Sequence, residues 1–407
     1  NEFLPHHSFK DTGLAGSIIS VDDRQPPFYY NKDGARVWFY MGIDLGSECW
    51  TVWVNGTSKE GMILDFYRQM VRNYHEWGFN LPLEIEAEAS LNSSFRNTFL
   101  MPGRMFEHVH IEPNNARAKR IERYFRTLRY EHEKDKDGWI PRPFARNEAN
   151  QPGPNAALGK TKQMRPYNEI VAQAHKEIET WNNMPHRTHT EKTRWEVFCE
   201  KQNPNTKPIN WRGILPYLGY KTPSSCNAGI VKLQGGEWFL GDNGQIYFGE
   251  KLIKLLTQVE GNRVDLYWLD NKQGDVIKAI VYMGTQYICE ILPKPVYARA
   301  HAERTVADME AYEAVSKYVA TITGYMNQGM KGLNNILIIG EKPKTLNNKF
   351  KIDGPEIIRE PQQNKTIQAI PELLTEPEIL ETLADEFEPV TMKKGFARSL
   401  ADRLLSD

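Results

Sequence analysis

The sequence predicts a multi-domain chain: an α/β layer, then a small all-β barrel, then a helix and a tail with little packed structure. Three observations predict it. Residues 17–88 read as three strands, a helix and a fourth strand. Residues 210–300 alternate short apolar runs with turns rich in Gly and Asn. From about residue 340 onward Pro, Lys, Asn and Glu dominate, a composition that cannot bury enough apolar surface to order itself.

Residues 1–16 read as the end of a linker. Ser17–Asp22 is a short strand closing on acids, and Asn31–Gly34 is a turn. The β-branched and aromatic runs 36–44 and 47–54, with Gly46 between them, complete a three-stranded antiparallel meander. Over 58–77, Met62, Phe66, Met70 and Tyr74 recur every four residues, which predicts a helix that Gly78 closes. At 82–88, Leu83, Ile85 and Ala87 alternate with Glu84, Glu86 and Glu88, a half-buried strand. His108 and His110 alternate on a further strand. An α/β layer of the RNase H kind has this order. In such a sheet the first and fourth strands are neighbours.

Residues 141–166 predict a long loop, and 167–183 a helix with Val171, Ala174, Ile178 and Trp181 on one face. The resulting domains are a linker end (1–16), the catalytic-type layer (17–203), the barrel (204–300), a helical extension (301–340) and a largely disordered tail (341–407). Two docking helices, 372–386 and 394–405, are expected inside the tail.

A length of 407 residues suits about two or three domains. Net charge is −1 and pI about 6.9, so no global basicity advertises a nucleic-acid partner, although the middle of the chain is locally basic. Cys49, Cys199, Cys226 and Cys289 form no CxxC pair, which argues against a zinc site or a disulfide framework and fits a reducing cytosol. No apolar run approaches the ~18 residues of a membrane span. The chain opens on Asn1, which reads as a fragment.

The most informative stretch is 115–129, where Glu122 stands among Arg117, Lys119, Arg120, Arg123, Arg126 and Arg129. Helical spacing puts Lys119, Glu122, Arg123 and Arg126 on one face. One reading is a helix laced with ion pairs. The other is an acid that holds a divalent metal while the cations hold phosphates, which position DNA without reading its sequence. Asp22 at the end of the first strand, Glu88 at the end of the fourth, and Glu122 on the following helix would then converge. Oxygen-only donors suit Mg²⁺ or Mn²⁺. Asp23 competes with Asp22, with its side chain expected on the opposite face. Glu86 competes with Glu88. The bland reading of Glu84, Glu86 and Glu88 is the solvent face of an edge strand.

The chain resembles the Mu-type DDE transposases of the retroviral integrase superfamily over residues 17–330. The resemblance rests on the meander after Asp22, on Gly78 before the fourth strand and on Ala-Lys-Arg-Ile-Glu-Arg-Tyr-Phe at 118–125. It also rests on Trp-Asn-Asn-Met-Pro-His at 181–186 and Gly-Gln-Ile-Tyr-Phe-Gly at 244–249, in that order. It implies an RNase H-like integrase core and a Mu-type barrel. It also implies cleavage at transposon ends followed by transfer of the 3′-OH into target DNA. Two metal ions would be held by Asp22, Glu88 and Glu122. It implies a homo-oligomer on paired DNA ends in the bacterial cytosol, with a target-delivering ATPase and a remodelling chaperone at the tail, and end-binding domains missing from the front. The family has Asp where this chain has Glu88, which motivates one rival, a non-catalytic DNA-binding or architectural protein. A third reading is a stand-alone nuclease with the same metal chemistry. Lys221, Lys232, Lys251, Lys254, Arg263 and Lys272 are the barrel cations that would meet DNA. His186 and His189 are expected to pack or cap rather than bind metal.

Overall fold

The computed structural model describes residues 10–112, 120–141 and 163–331. The first sheet contains β1 (Ile18–Arg24), β2 (Trp38–Asp44), β3 (Cys49–Gly56), β4 (Glu84–Glu88) and β5 (His108–Glu112), in the order β3-β2-β1-β4-β5. β1, β2 and β3 form the antiparallel meander, while β1–β4 and β4–β5 are parallel. The first and fourth strands are neighbours, as expected. β4 is no edge strand, because β5 covers its far side.

α1 (Met62–Trp77) lies on one sheet face, and Gly78 ends it in the left-handed region (φ 75°) with its N–H bonded back to Tyr74 and His75. Ile19, Val21, Ile85 and Ala87 pack against its Phe66, Tyr67, Met70 and Tyr74. On the opposite face Met41, Ile43 and Trp50 pack against α3 (Ile121–Thr127) and α4 (Tyr167–Asn182). A four-residue helix, α2 (Ala89–Asn92), follows β4 directly.

Residues 10–16 are not a free linker. The N–H of Ala15 donates to Lys201 O at 2.9 Å, and the N–H of Gly16 to Asp44 Oδ2 at 2.7 Å. A Cβ on Gly46 would lie 2.1 Å from Leu14 O, so only glycine allows this strand-to-turn approach.

The barrel is closed. β6 (Tyr220–Asn227), β7 (Ile230–Leu233), β8 (Gly236–Asp242), β10 (Arg263–Asp270), β11 (Val276–Met283) and β12 (Gln286–Pro293) form a ring completed by β12–β8 pairing, and β9 (Gln245–Ile246) pairs outside it. Closure removes the exposed sheet edges. The expectation of strands throughout 210–300 missed two helices. α6 (Trp211–Leu218) packs Ile214, Leu215 and Leu218 into the first core, and α7 (Gly249–Val259) plugs the barrel with Leu252, Leu256 and Val259. Spacings of four and three in that last trio are helical, not strand-like. A preceding helix, α5 (Arg194–Glu200), opens on a Thr193–Glu196 capping box.

α8 (Val306–Lys331) is the expected helical extension, seated on the barrel by Val315, Tyr318 and Ile322. The Tyr318 hydroxyl donates to Gly229 O at 2.6 Å and accepts from Leu240 N at 3.1 Å, and its ring stacks on Phe239 with centroids 3.9 Å apart. The expected tail and its docking helices lie outside the described residues. Among the described residues no helix is long and apolar enough to cross a membrane.

Removing a buried aromatic ring together with two hydrogen bonds costs about 3–5 kcal/mol. Tyr318→Ala is therefore expected to lower the unfolding free energy by that amount, with Tyr318→Phe costing only about 1–2 kcal/mol. Equilibrium denaturation followed by tryptophan fluorescence checks both.

Candidate functional site

Asp22, Asp23 and Glu88 each bring a carboxylate oxygen into one small volume, all within 4.8 Å of one another. The backbone accounts for this. β1 and β4 pair only from Ile18↔Glu84 to Ser20↔Glu86. Continued, the register would set Asp22 beside Glu88, but the ladder stops before that row. β1 goes on with β2, while β4 turns into α2 with Glu88 as its extended N-cap (φ −75°, ψ 141°). The notch left between the two strand ends takes the carboxylates.

The sheet faces sort the acids. Asp22 pairs with Met41, which points toward α3 and α4. Asp23 pairs with Tyr40, which packs on Phe66 of α1. Ile85 and Ala87 also point to α1, so Glu84, Glu86 and Glu88 lie on the α3 side with Asp22. The opposite facing of Asp22 and Asp23 expected from alternation is met in register. The corollary that one of them is merely solvated is not, because at the splayed end Asp23 still reaches the cluster. Its two oxygens also receive Lys59 Nζ at 2.9 and 3.0 Å.

Glu88, not Glu86, is the β4 acid in the cluster. Glu86 sits a row back, opposite Ser20 and His110, and burial raises its pKa. Glu88 is braced from below. Asn92 Nδ2 donates to Glu88 O and to the Tyr40 hydroxyl, both at 2.9 Å, and Asn92 Oδ1 accepts from Tyr67 at 2.7 Å. The lone sequence signal for this network was a polar residue four positions after Glu88.

Glu122 does not join the other acids. It is exposed in the first turn of α3 and is no member of the cluster. α3 is clamped one turn later, where Phe125 stacks on Trp50 (5.6 Å, 6°) and the Tyr124 hydroxyl donates to Glu48 at 3.3 Å. Beyond Thr127 the helix widens into a π turn, Leu128–Glu133, whose Glu133 grips Arg24 of β1 at 2.5 and 2.7 Å.

The cations around Glu122 divide. Arg117 and Lys119 lie outside the described residues. Arg123 and Arg126 are exposed on α3. Arg120 pairs with Asp11 at 3.1 Å. Arg129 does not face outward with them. It is 8% exposed, donates to Ile140 O at 2.8 Å and lies over the Trp139 ring. The π turn beginning at Leu128 takes Arg129 off the phase of the helix before it, so it is no phosphate contact like its neighbours. Lys251 and Lys254 belong to α7 rather than to a strand. Lys221 and Lys272 pair with Asp265 and Glu76 at 2.9 and 2.8 Å.

The Trp181–His186 segment is a structural staple. Asn182 accepts from Trp50 N and donates to Trp50 O, both at 2.9 Å, satisfying the outer edge of β3. Trp181 Nε1 donates to Glu48 O at 2.8 Å under the Arg194 guanidinium. His186 Nδ1 accepts from the N–H groups of Thr188 and His189, the capping role expected of it.

Among solved structures the chain is similar to one in a cryo-EM structure of the simian T-cell lymphotropic virus intasome in complex with PP2A regulatory subunit B56 gamma. Identity is 13% and the TM-score 0.28, over 70% of this chain and 84% of that one. So loose a superposition carries no assignment. No protein-family model and no curated protein matches the chain.

Beside the Arg24–Glu133 pair, Glu177 of α4 is pushed up to about 7, first by burial and then by the Glu133 charge. A raised folded-state pKa stabilises below the unfolded value, about 4.3, and that contribution is lost as pH rises through about 7. Glu177→Gln keeps the acceptor for Gln173 (2.7 Å) and removes the titration. It is expected to stabilise the protein by about 3 kcal/mol at pH ~8 and by only about 1 kcal/mol at pH ~5, read as the difference in melting at the two values.

Proposed function

We propose that the chain is a Mu-type DDE transposase with an RNase H-like integrase core. It would cleave DNA at transposon ends and transfer the freed 3′-OH into target DNA. The observation that carries this reading is the pair Asp22 and Glu88. They come from neighbouring parallel strands, Asp22 two residues before the end of β1 and Glu88 at the end of β4, share the sheet face that packs on the helix of Glu122, and have carboxylate oxygens within 4.8 Å. The strand order β3-β2-β1-β4-β5 and the closed barrel that follows support it.

The donor set fits the expected cofactor. It is all carboxylate oxygen, with no sulfur or imidazole, and that chemistry suits Mg²⁺ or Mn²⁺. In this reading Asp22, Glu88 and Glu122 would hold the two ions, which would supply Lewis-acid activation of an attacking oxygen and stabilisation of a leaving one. The protein supplies the rest. Tyr40 and Asn92 fix Glu88, the Arg24–Glu133 pair ties β1 to the segment after α3, and Arg123 and Arg126 offer phosphate contacts beside Glu122. Glu122 lies outside the cluster, so the reading requires α3 to close on the acids when DNA and metal are present. DNA at paired ends would be held by a homo-oligomer, and the tail would serve a target-delivering ATPase and a chaperone.

A non-catalytic DNA-binding scaffold is the second reading. It is favoured by the Glu at position 88 and by Glu122 standing apart. Mn²⁺-dependent nicking of supercoiled plasmid separates the two. The transposase reading expects nicking that falls at least ~10²-fold in Asp22→Asn and in Glu122→Gln. Salt-sensitive DNA binding without nicking would favour the scaffold. Glu88→Asp adds a second discrimination: a loss of rate says that Glu belongs there, and a large gain marks a degenerate site. Joined strands among the products separate a transposase from a nuclease that leaves only hydrolysed ends.

A further inference from the structure

Lys59 lies in the turn before α1 and is aimed at the acid cluster. Its ammonium bonds both oxygens of Asp23 at 2.9 and 3.0 Å and stands 4.4 Å from the centroid of the Trp38 ring. Asp23 belongs to the α1 side of the sheet, and Asp22 and Glu88 to the α3 side. The cluster is therefore bracketed, with the Glu122 helix on one flank and a fixed cation on the other. The Lys59 side chain is 37% exposed, whereas that of Asp23 is 13% exposed. The cation keeps more access to solvent than its carboxylate holder.

We propose that Lys59 is a phosphate ligand. It would receive a non-bridging oxygen of the DNA strand where that strand leaves the Asp22–Glu88 pair on the α1 side. This rests on the DNA-cleaving reading of the same acids. Asp23 and Trp38 are positioning residues. Asp23 is committed to Lys59 and is not a metal ligand, although it lies as close to the cluster as the two acids that are. Two features favour this division. A carboxylate already gripped through both oxygens by an ammonium is a poor donor to a second cation. And an ammonium already held over an indole face surrenders little further rotamer freedom when it meets phosphate.

The test uses the full chain, a short DNA duplex in Ca²⁺ buffer, and Mn²⁺ alone. Lys59→Met is expected to weaken duplex binding about five- to tenfold and to make the log–log salt dependence shallower by about 0.9, the loss of one phosphate contact. Lys59→Arg should retain the slope. Asp23→Asn should keep Mn²⁺ binding while losing part of the duplex affinity, and Asp22→Asn should lose Mn²⁺ binding. Lys59→Met should bind Mn²⁺ as well as the parent or better, because a neighbouring positive charge is gone. An unchanged salt slope in Lys59→Met, or loss of Mn²⁺ binding in Asp23→Asn, overturns the proposal and leaves the transposase reading standing. Nicking and Mn²⁺ binding that both survive Asp22→Asn would instead remove the active-site reading itself. Should Lys59→Met melt early, Lys59→Gln carries the same comparison.

Discussion

The parallel pairing of Ile18–Ser20 with Glu84–Glu86 is the constraint on which the site depends. It makes neighbours of two strands separated in sequence by a meander and a helix. It then ends where the acids begin. Had the ladder continued, Asp22 and Glu88 would stand side by side in one row of a flat sheet. Because it stops, β1 follows β2 and β4 turns into α2, and the carboxylates meet in the opening. Like charges this close repel. Lys59 offsets part of that cost from the α1 side.

The two-residue period of the strands divides labour between the faces. Ile19, Val21, Ile85 and Ala87 feed one core with α1, while Ser20, Asp22, Glu86 and Glu88 line the other face. That second face is held by aromatic and charged clamps: Phe125 on Trp50, Asn182 on the β3 edge, and Glu133 on Arg24. The barrel is joined to the first core through α6 and through Arg72 of α1, which bonds Asp270 and Tyr220. The acids are thus mounted on a rigid sheet, whereas Glu122 rides a short helix followed by a π turn, a place where helices are readily re-registered.

Much of this was readable in the residues, and the misses have specific causes. Periodicity found α1, α4, β4 and β5, while β2 and β3, whose sheet is covered on both faces, were legible by their aromatic and β-branched runs. It missed α6 and α7, where Gly- and Asn-rich turns on either side suggested continuous strand. Arg129 was counted among the cations that would contact phosphates, whereas a π turn lies there and the side chain is buried. Asp22 and Glu88 were found by their places at strand ends. Glu122 was placed with them on the strength of a helix packing beside the sheet, and helix packing alone does not set how far a side chain reaches.

By itself the sequence determined the order of elements, the alternation that puts Glu88 on the face of Asp22, and the chemistry of an oxygen-donor site. These are local properties, set by side-chain period and residue type. Tertiary structure alone decided where the β1–β4 ladder stops, that Asp23 reaches the cluster with Lys59 in its grip, and that Glu122 stands apart. Each of those depends on how far two separately encoded elements stay together before diverging. That distance is set by the packing of α1, α2 and α3 around the sheet, and no single segment carries it.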